Sequence, residues 1–190
     1  MKHVVLSLFV LATFATAVSS EPASPHLKLP GPAAQDLMLG TWAIQIKYEP
    51  SAEMPKGSET TGREIWRAGP GGNSVIEEYF EKSPKGTTKE FIIAWWDENE
   101  QGQRFLGCGN EQMRGCELSR SVAKWEGNSL IYTEESTENG QKVVRQEIFT
   151  DLAPTSFTQL LKAGPSVSEL KTTVTIHATK LTARAVPMSL

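Results

Sequence analysis

From Gly40 onward the chain places apolar side chains at every second position, as in Trp42-Ala-Ile44-Gln-Ile46-Lys-Tyr48. A period of two sends alternate side chains to opposite faces of an extended strand, so Trp42, Ile44, Ile46 and Tyr48 share one face. This predicts a first strand over Thr41 to Glu49. Similar runs predict strands over Glu59 to Arg67, Asn73 to Glu81, Thr87 to Trp96, Gln103 to Asn110 and Arg114 to Ser121. Val122 to Glu126, Ser129 to Ser136, Lys142 to Asp151, Ser156 to Lys162 and Glu169 to Leu181 continue the series. Turn chemistry separates them: the loop Pro50 to Ser58, the cluster Gly69-Pro70-Gly71-Gly72, and the tight hairpin signal Asn139-Gly140. No long 3.6-residue pattern competes, and the short connections favour antiparallel neighbours. About ten strands are therefore expected to close into an antiparallel up-and-down β-barrel, because closure leaves no unpaired edge. The fold class is all-β.

The N-terminus follows a different pattern. Met1-Lys2-His3 is a short basic start and Val4 to Val18 is a mostly apolar run, shorter than the roughly 20 residues of a bilayer crossing. Its small-residue ending predicts an export signal over residues 1–20, cleaved after Ala17 or Ser20, and hence a periplasmic or extracellular protein. No cysteine follows to carry a lipid, and no later stretch is apolar for long enough to span a membrane, so stable membrane insertion after cleavage is not expected. Residues 21–38 read as a Pro-rich linker, mobile or loosely draped, with Pro22, Pro25, Pro30 and Pro32 holding it extended. Ala33 to Leu39 could form one helical turn whose Leu37 and Leu39 cap an end of the fold. The barrel domain is expected over 39–182 and a tail over 183–190.

Charge excludes more than it suggests. The chain has 22 acidic and 19 basic side chains among 190 residues, a net charge of −3. Lys and Arg are scattered singly, without the clustered face that neutralises phosphates, so a nucleic-acid partner is not expected.

Several short motifs occur in a consistent order: Pro30-Gly31-Pro32, Leu39-Gly40-Thr41-Trp42, Gly71-Gly72, Glu78-Tyr79, Gly86, Trp95-Trp96-Asp97, and a Thr-rich last strand ending in Lys180. Together they resemble a family of exported bacterial domains of unknown function within the calycin (lipocalin-like) group. The likeness runs from Gly31 to Lys180 and departs at Cys108-Gly109-Asn110, where the family carries Trp-x-Asp. It implies a lipocalin-like barrel whose base is built by Gly40 and Trp42. The indole would plug the closed end, the glycine would permit close approach, and an arginine or lysine would stack on the ring. Arg120, Arg145 and Lys180 are the candidates.

Cys108 and Cys116 are the only cysteines and flank a bend within a predicted hairpin. Facing each other across antiparallel strands in an exported chain, they predict a structural disulfide. They lack the Cys-x-x-Cys spacing of a redox pair and the nearby histidines a zinc site requires. Of the three histidines, His3 leaves with the signal, His26 lies in the linker and His177 belongs to the last strand. There it alternates with Ile176 and Ala178 and is expected to face outward. A Ser-His-Asp triad would have to recruit it, and no Gly-x-Ser-x-Gly elbow exists. Glu77-Glu78 and Glu134-Glu135 are adjacent pairs, so only one member of each can face the interior. No catalytic residue, cofactor or metal site is assigned, and the chain does not read as an enzyme.

The aromatic residues of the meander point instead to a lumen. Ile46, Tyr48, Ile65, Tyr79, Phe91, Ile93 and Trp95 are the expected inward-facing set, lining a site for a small hydrophobic ligand. The alternative is a filled core with no ligand, the barrel then serving as a structural or protein-interaction module through its outer surface or the loops Pro50 to Ser58 and Ala163 to Ser168.

Overall fold

The computed structural model describes residues 27–52, 54–83, 86–110 and 115–182. The expected export signal, His26 and the tail over 183–190 lie outside the described residues. The chain begins its sheet with β1 (Gly40–Tyr48), β2 (Ser58–Ala68), β3 (Ser74–Ser83), β4 (Gly86–Asp97) and β5 (Gly102–Gly109). Two short strands follow, β6 (Gly115–Leu118) and β7 (Ala123–Glu126), then the longer β8 (Ser129–Glu138), β9 (Gln141–Ala153), β10 (Ser156–Gly164) and β11 (Lys171–Lys180). Neighbours pair antiparallel, and β11 returns to β1. The pairings β4–β5 and β5–β7 complete a closed ring of ten strands, an up-and-down barrel of calycin-like form, with β6 standing outside it on the edge of β5.

The alternation that predicts the strands also sorts their faces. Along β1, Trp42, Ile44 and Ile46 are buried while Ala43, Gln45 and Lys47 are exposed. Asn139 (φ 49°) and Gly140 (φ 78°) close the β8–β9 hairpin with two consecutive positive φ angles, the twist a two-residue hairpin requires. One seam is uneven. β5 meets β7 at the single register pair Gln103 with Ala123, whereas Leu106 to Cys108 pair with β6. The edge of β5 is therefore divided between two partners.

One end of the barrel is filled. Trp42 has no exposed surface, and its ring meets Phe157 edge-on at 4.7 Å between centroids. Trp66 and Phe149 stack similarly at 5.4 Å. The indole N–H of Trp42 donates to the Met38 carbonyl at 2.7 Å. Of the three basic candidates, Lys180 takes the place over the indole, its Nζ 4.8 Å from the ring and donating to the Leu37 carbonyl. Gly40 (φ 138°) is needed for that approach, because a Cβ there would lie 2.5 Å from Lys180 Cε.

The described part of the Pro-rich segment corrects the expectation of a loosely draped linker. Leu29 is buried, the Lys28 amide donates to the Gly72 carbonyl at 2.8 Å, and a short 3-10 helix, Ala33–Met38, packs against β9. Its buried side chains are Gln35 and Met38, not Leu37 and Leu39, because the tight three-residue turn brings positions 35 and 38 to one side. Among the described residues no helix is long and apolar enough to cross a membrane.

Candidate functional site

Opposite the plugged end the barrel retains a cavity of about 400 Å³. Its apolar walls come from Ile46, Ile92, Phe105, Leu161, Val174 and Ile176. Its polar lining is strongly one-sided. Among the described residues Glu77, Glu81, Glu90, Glu117, Glu134 and Glu147 line it with a single basic side chain, Arg120, and that guanidinium is 72 % exposed at 3.6 Å from Glu134. Glu64, paired in register with Trp42 and almost without exposed surface, adds a further interior carboxylate.

These carboxylates differ in how their oxygens are matched. Glu81 is fully served by hydroxyls: Tyr48 and Tyr79 donate to Oε2 at 2.7 and 2.9 Å, and Thr60 donates to Oε1 at 2.7 Å. Glu134 accepts from Tyr132. Glu64 accepts from the Trp66 indole at 2.9 Å on one oxygen, while its Oε1 has no partner. Glu147 accepts from the Gln159 amide at 2.5 Å, which leaves Gln159 Oε1 buried and unmatched. Glu77 is 6 % exposed and makes no hydrogen bond or ion pair among the described residues.

Burial sets the proton affinity of the deep group. It pushes the Glu64 carboxyl up to about 7, against the Trp66 hydrogen bond and with help from Glu147. Glu77 is raised well above the ordinary carboxylate range by burial first, then by Glu64, Glu147 and Glu90. Glu147 is raised by burial, opposed by Gln159 and aided by Glu90. The Tyr79 phenol is also raised, by burial and the adjacent Glu81.

Ile46, Tyr48 and Tyr79 line the cavity as expected from alternation. Ile65, Phe91, Ile93 and Trp95 do not, and their inward placement is corrected. Residues directly opposite in an antiparallel pair share a face. Tyr79 is opposite Glu64 on one side and Glu90 on the other, whereas Glu78 is opposite Ile65 and Phe91. An inward Tyr79 therefore sends Glu64 and Glu90 inward and Ile65 and Phe91 outward. Ile93 and Trp95 follow Phe91 along β4, while Ile92 lines the lumen and Ala94 and Trp96 pack against the core. Segment Phe91 to Trp96 is apolar at every position, so its own pattern offers no frame. The signal that could have found Glu64, Glu77, Glu81, Glu90 and Glu147 was this cross-strand register, not the polarity of any one strand.

For the adjacent carboxylate pairs, Glu77 and Glu134 are the lumen members. Glu78 ion-pairs with Arg67 and Glu135 with Lys142, both on the outer surface. His177 is exposed and lies in an outer groove beside Lys47 and Lys82. Cys108 and Cys116 are register partners on β5 and β6 and sit at disulfide-bonding distance, joining the outlying strand to the barrel. Among the described residues no group of three or more carboxylate, histidine or cysteine side chains is arranged to hold a metal ion. No protein-family model matches the chain, and no curated protein matches it.

Proposed function

We propose that this protein is an exported, non-catalytic binder that takes a small molecule with an apolar body into the barrel lumen. The observation that carries the reading is the asymmetry of the interior. Trp42, Trp66, Phe149 and Phe157 fill one end, whereas the other holds a cavity of about 400 Å³, inside the roughly 300–1,000 Å³ range of ligand sites. The resemblance to the calycin group supports this use of the lumen. Export is supported by the basic start and apolar run at the N-terminus and by the paired cysteines, whose bond an oxidising compartment preserves. The exposed position of His177 favours binding over acid–base turnover.

A neutral apolar fluorophore such as N-phenyl-1-naphthylamine tests the reading. We expect saturable one-to-one enhancement with the wild type and its loss in Leu161→Trp, which places a larger ring on the cavity wall. Enhancement unchanged in the folded variant would remove the lumen from consideration.

A second reading has its own observation. Ile76, Ile93, Leu106 and Leu118 form a continuous cross-strand row over β3–β4–β5–β6, beside Phe91, with Leu118 at its end also reaching the cavity lining. Leu118 is 55 % and Phe91 37 % exposed, and an apolar row of this kind suits contact with another protein. Concentration-dependent light scattering that Leu118→Ser abolishes would favour it.

A further inference from the structure

Buried carboxylates without counter-charge are costly, and proteins relieve the cost with protons, cations or hydrogen-bond donors. In this lumen the protein supplies very few. Among the described residues the one cation lining the cavity, Arg120, is largely in solvent at the mouth. Lys180, the half-buried cation at the other end, is committed to Trp42 and the Leu37 carbonyl. Glu81 is matched by three neutral hydroxyls and needs nothing more. Deeper in, the matching stops.

Two independent side chains mark the place. Glu77 on β3 is 6 % exposed, lines the cavity and has no hydrogen-bond or ion-pair partner among the described residues. Gln159 on β10 is 7 % exposed and also lines the cavity; its amide N–H is spent on Glu147, so Oε1 stands buried and unpartnered. Both offer acceptors. A guest that satisfies them must bring hydrogen-bond donors, and one that also balances Glu77 and Glu147 in their ionised form must carry positive charge. A metal ion is the wrong shape for this demand, since the described residues provide no convergent ligand set. Beside the carboxylates the walls are aliphatic and phenolic: Ile92 stands opposite Glu77 and Leu161 opposite Glu147, with Val174, Tyr48 and Tyr132 on the same lining. Such walls suit the hydrocarbon or aromatic body of an amphiphile, and phenol faces attract cations as well.

We infer that the lumen selects organic cations: a protonated amine on an apolar body, its ammonium group seated among Glu77, Glu147 and Gln159 Oε1. The inference rests on the lumen being a binding site at all, and it narrows the ligand from any small apolar molecule to a cationic one. Burial and mutual repulsion keep Glu77 and Glu147 protonated more readily than free carboxyls. An entering ammonium takes the place of one such proton, which passes to solvent.

Isothermal titration at pH 7.5 with three guests of equal chain length tests the idea: octylammonium, octanol and octanoate. We expect octylammonium to bind at least tenfold more tightly than octanol, and octanoate more weakly than both. Glu77→Gln, which keeps shape and removes charge, is expected to weaken octylammonium at least tenfold and leave octanol within twofold. Gln159→Met should weaken octylammonium in the same direction, and serves if the Glu77 variant fails to fold. Glu135→Gln, on the outer surface, should change nothing, which separates lumen binding from general attraction to an acidic protein. Octanol or octanoate binding as tightly as octylammonium, or full octylammonium affinity in folded Glu77→Gln, would overturn the selection of cations while leaving a lumen site intact. Failure of all three guests would instead remove the lumen reading itself.

Discussion

The two ends of this barrel interior are built on opposite principles. At the closed end the large rings pack against one another, the Trp42 indole reaches the Met38 carbonyl and Lys180 reaches the Leu37 carbonyl, while Glu64 Oε1, Gln35 Oε1 and Trp125 Nε1 are buried there without a partner among the described residues. In the open lumen, Glu77 and Gln159 Oε1 are buried with nothing to meet them. Filling stabilises the first region. The second forgoes that stability and keeps space, charge and unused acceptors, which are what a binding site needs. The contrast teaches where to look for function in such a fold: where unmatched polar groups border a cavity, not where they are sealed in packing.

The largest expected effect probes the filled end. Trp42→Ala removes the most deeply buried ring and should cost about 3 to 5 kcal/mol in urea unfolding, as for other large-to-small core changes. A loss below 1 kcal/mol would mean that the plug does not support the barrel.

The next effect concerns the buried carboxylates and is a pH dependence. A glutamate of the unfolded chain titrates near 4.5, whereas folded Glu64 holds its proton up to about 7. Between those values the folded state binds the extra proton, so stability falls as pH rises through that window and levels off above it. The raised shifts of Glu77 and Glu147 act in the same direction. For Glu64 alone the loss is roughly 3 kcal/mol. Urea midpoints of the ligand-free protein at pH 5 and pH 8 should show it, and Glu64→Gln should flatten the profile. A midpoint that climbs from pH 5 to pH 8 would contradict the picture of an uncompensated acidic lumen.

The cysteine pair should matter less than the plug, because β6 lies outside the ring. Replacing both Cys108 and Cys116 with Ser is expected to lower stability by roughly 2 to 3 kcal/mol on the loop-entropy argument, with the far-ultraviolet dichroism of the barrel kept. Two titratable thiols in the unreduced protein would exclude the bond.

The smallest effect tests whether the closed end depends on its cation. Lys180→Met retains the apolar stem but loses the ammonium over Trp42 and its hydrogen bond, at an expected cost of about 1 kcal/mol. Thermal denaturation with indole fluorescence as the probe reads both the stability and the environment of the ring.

Much of the architecture was legible in advance because it depends on local signals. The alternation from Trp42 to Tyr48 and the Asn139-Gly140 turn act within a few residues, and so do the glycines at 71 and 72, whose positive φ angles the turn requires. The site was only partly legible. Alternation placed Phe91 in the lumen, yet the pairing of β3 with β4 turns Phe91 outward and Glu90 inward. A one-residue shift in frame exchanges all side chains between faces, and a strand apolar on both sides cannot report its own frame.

The order of residues by itself determined the compartment expected for the chain, the period of its strands and the turns between them, since each is a short-range property of composition and spacing. Only the tertiary structure decided which face of each strand became the interior, and with it the gathering of Glu64, Glu77, Glu90 and Glu147 from four separate strands. Closure of the ring made that choice for all strands together. Register couples each strand to its neighbours, and a lumen exists only when the last one returns to the first.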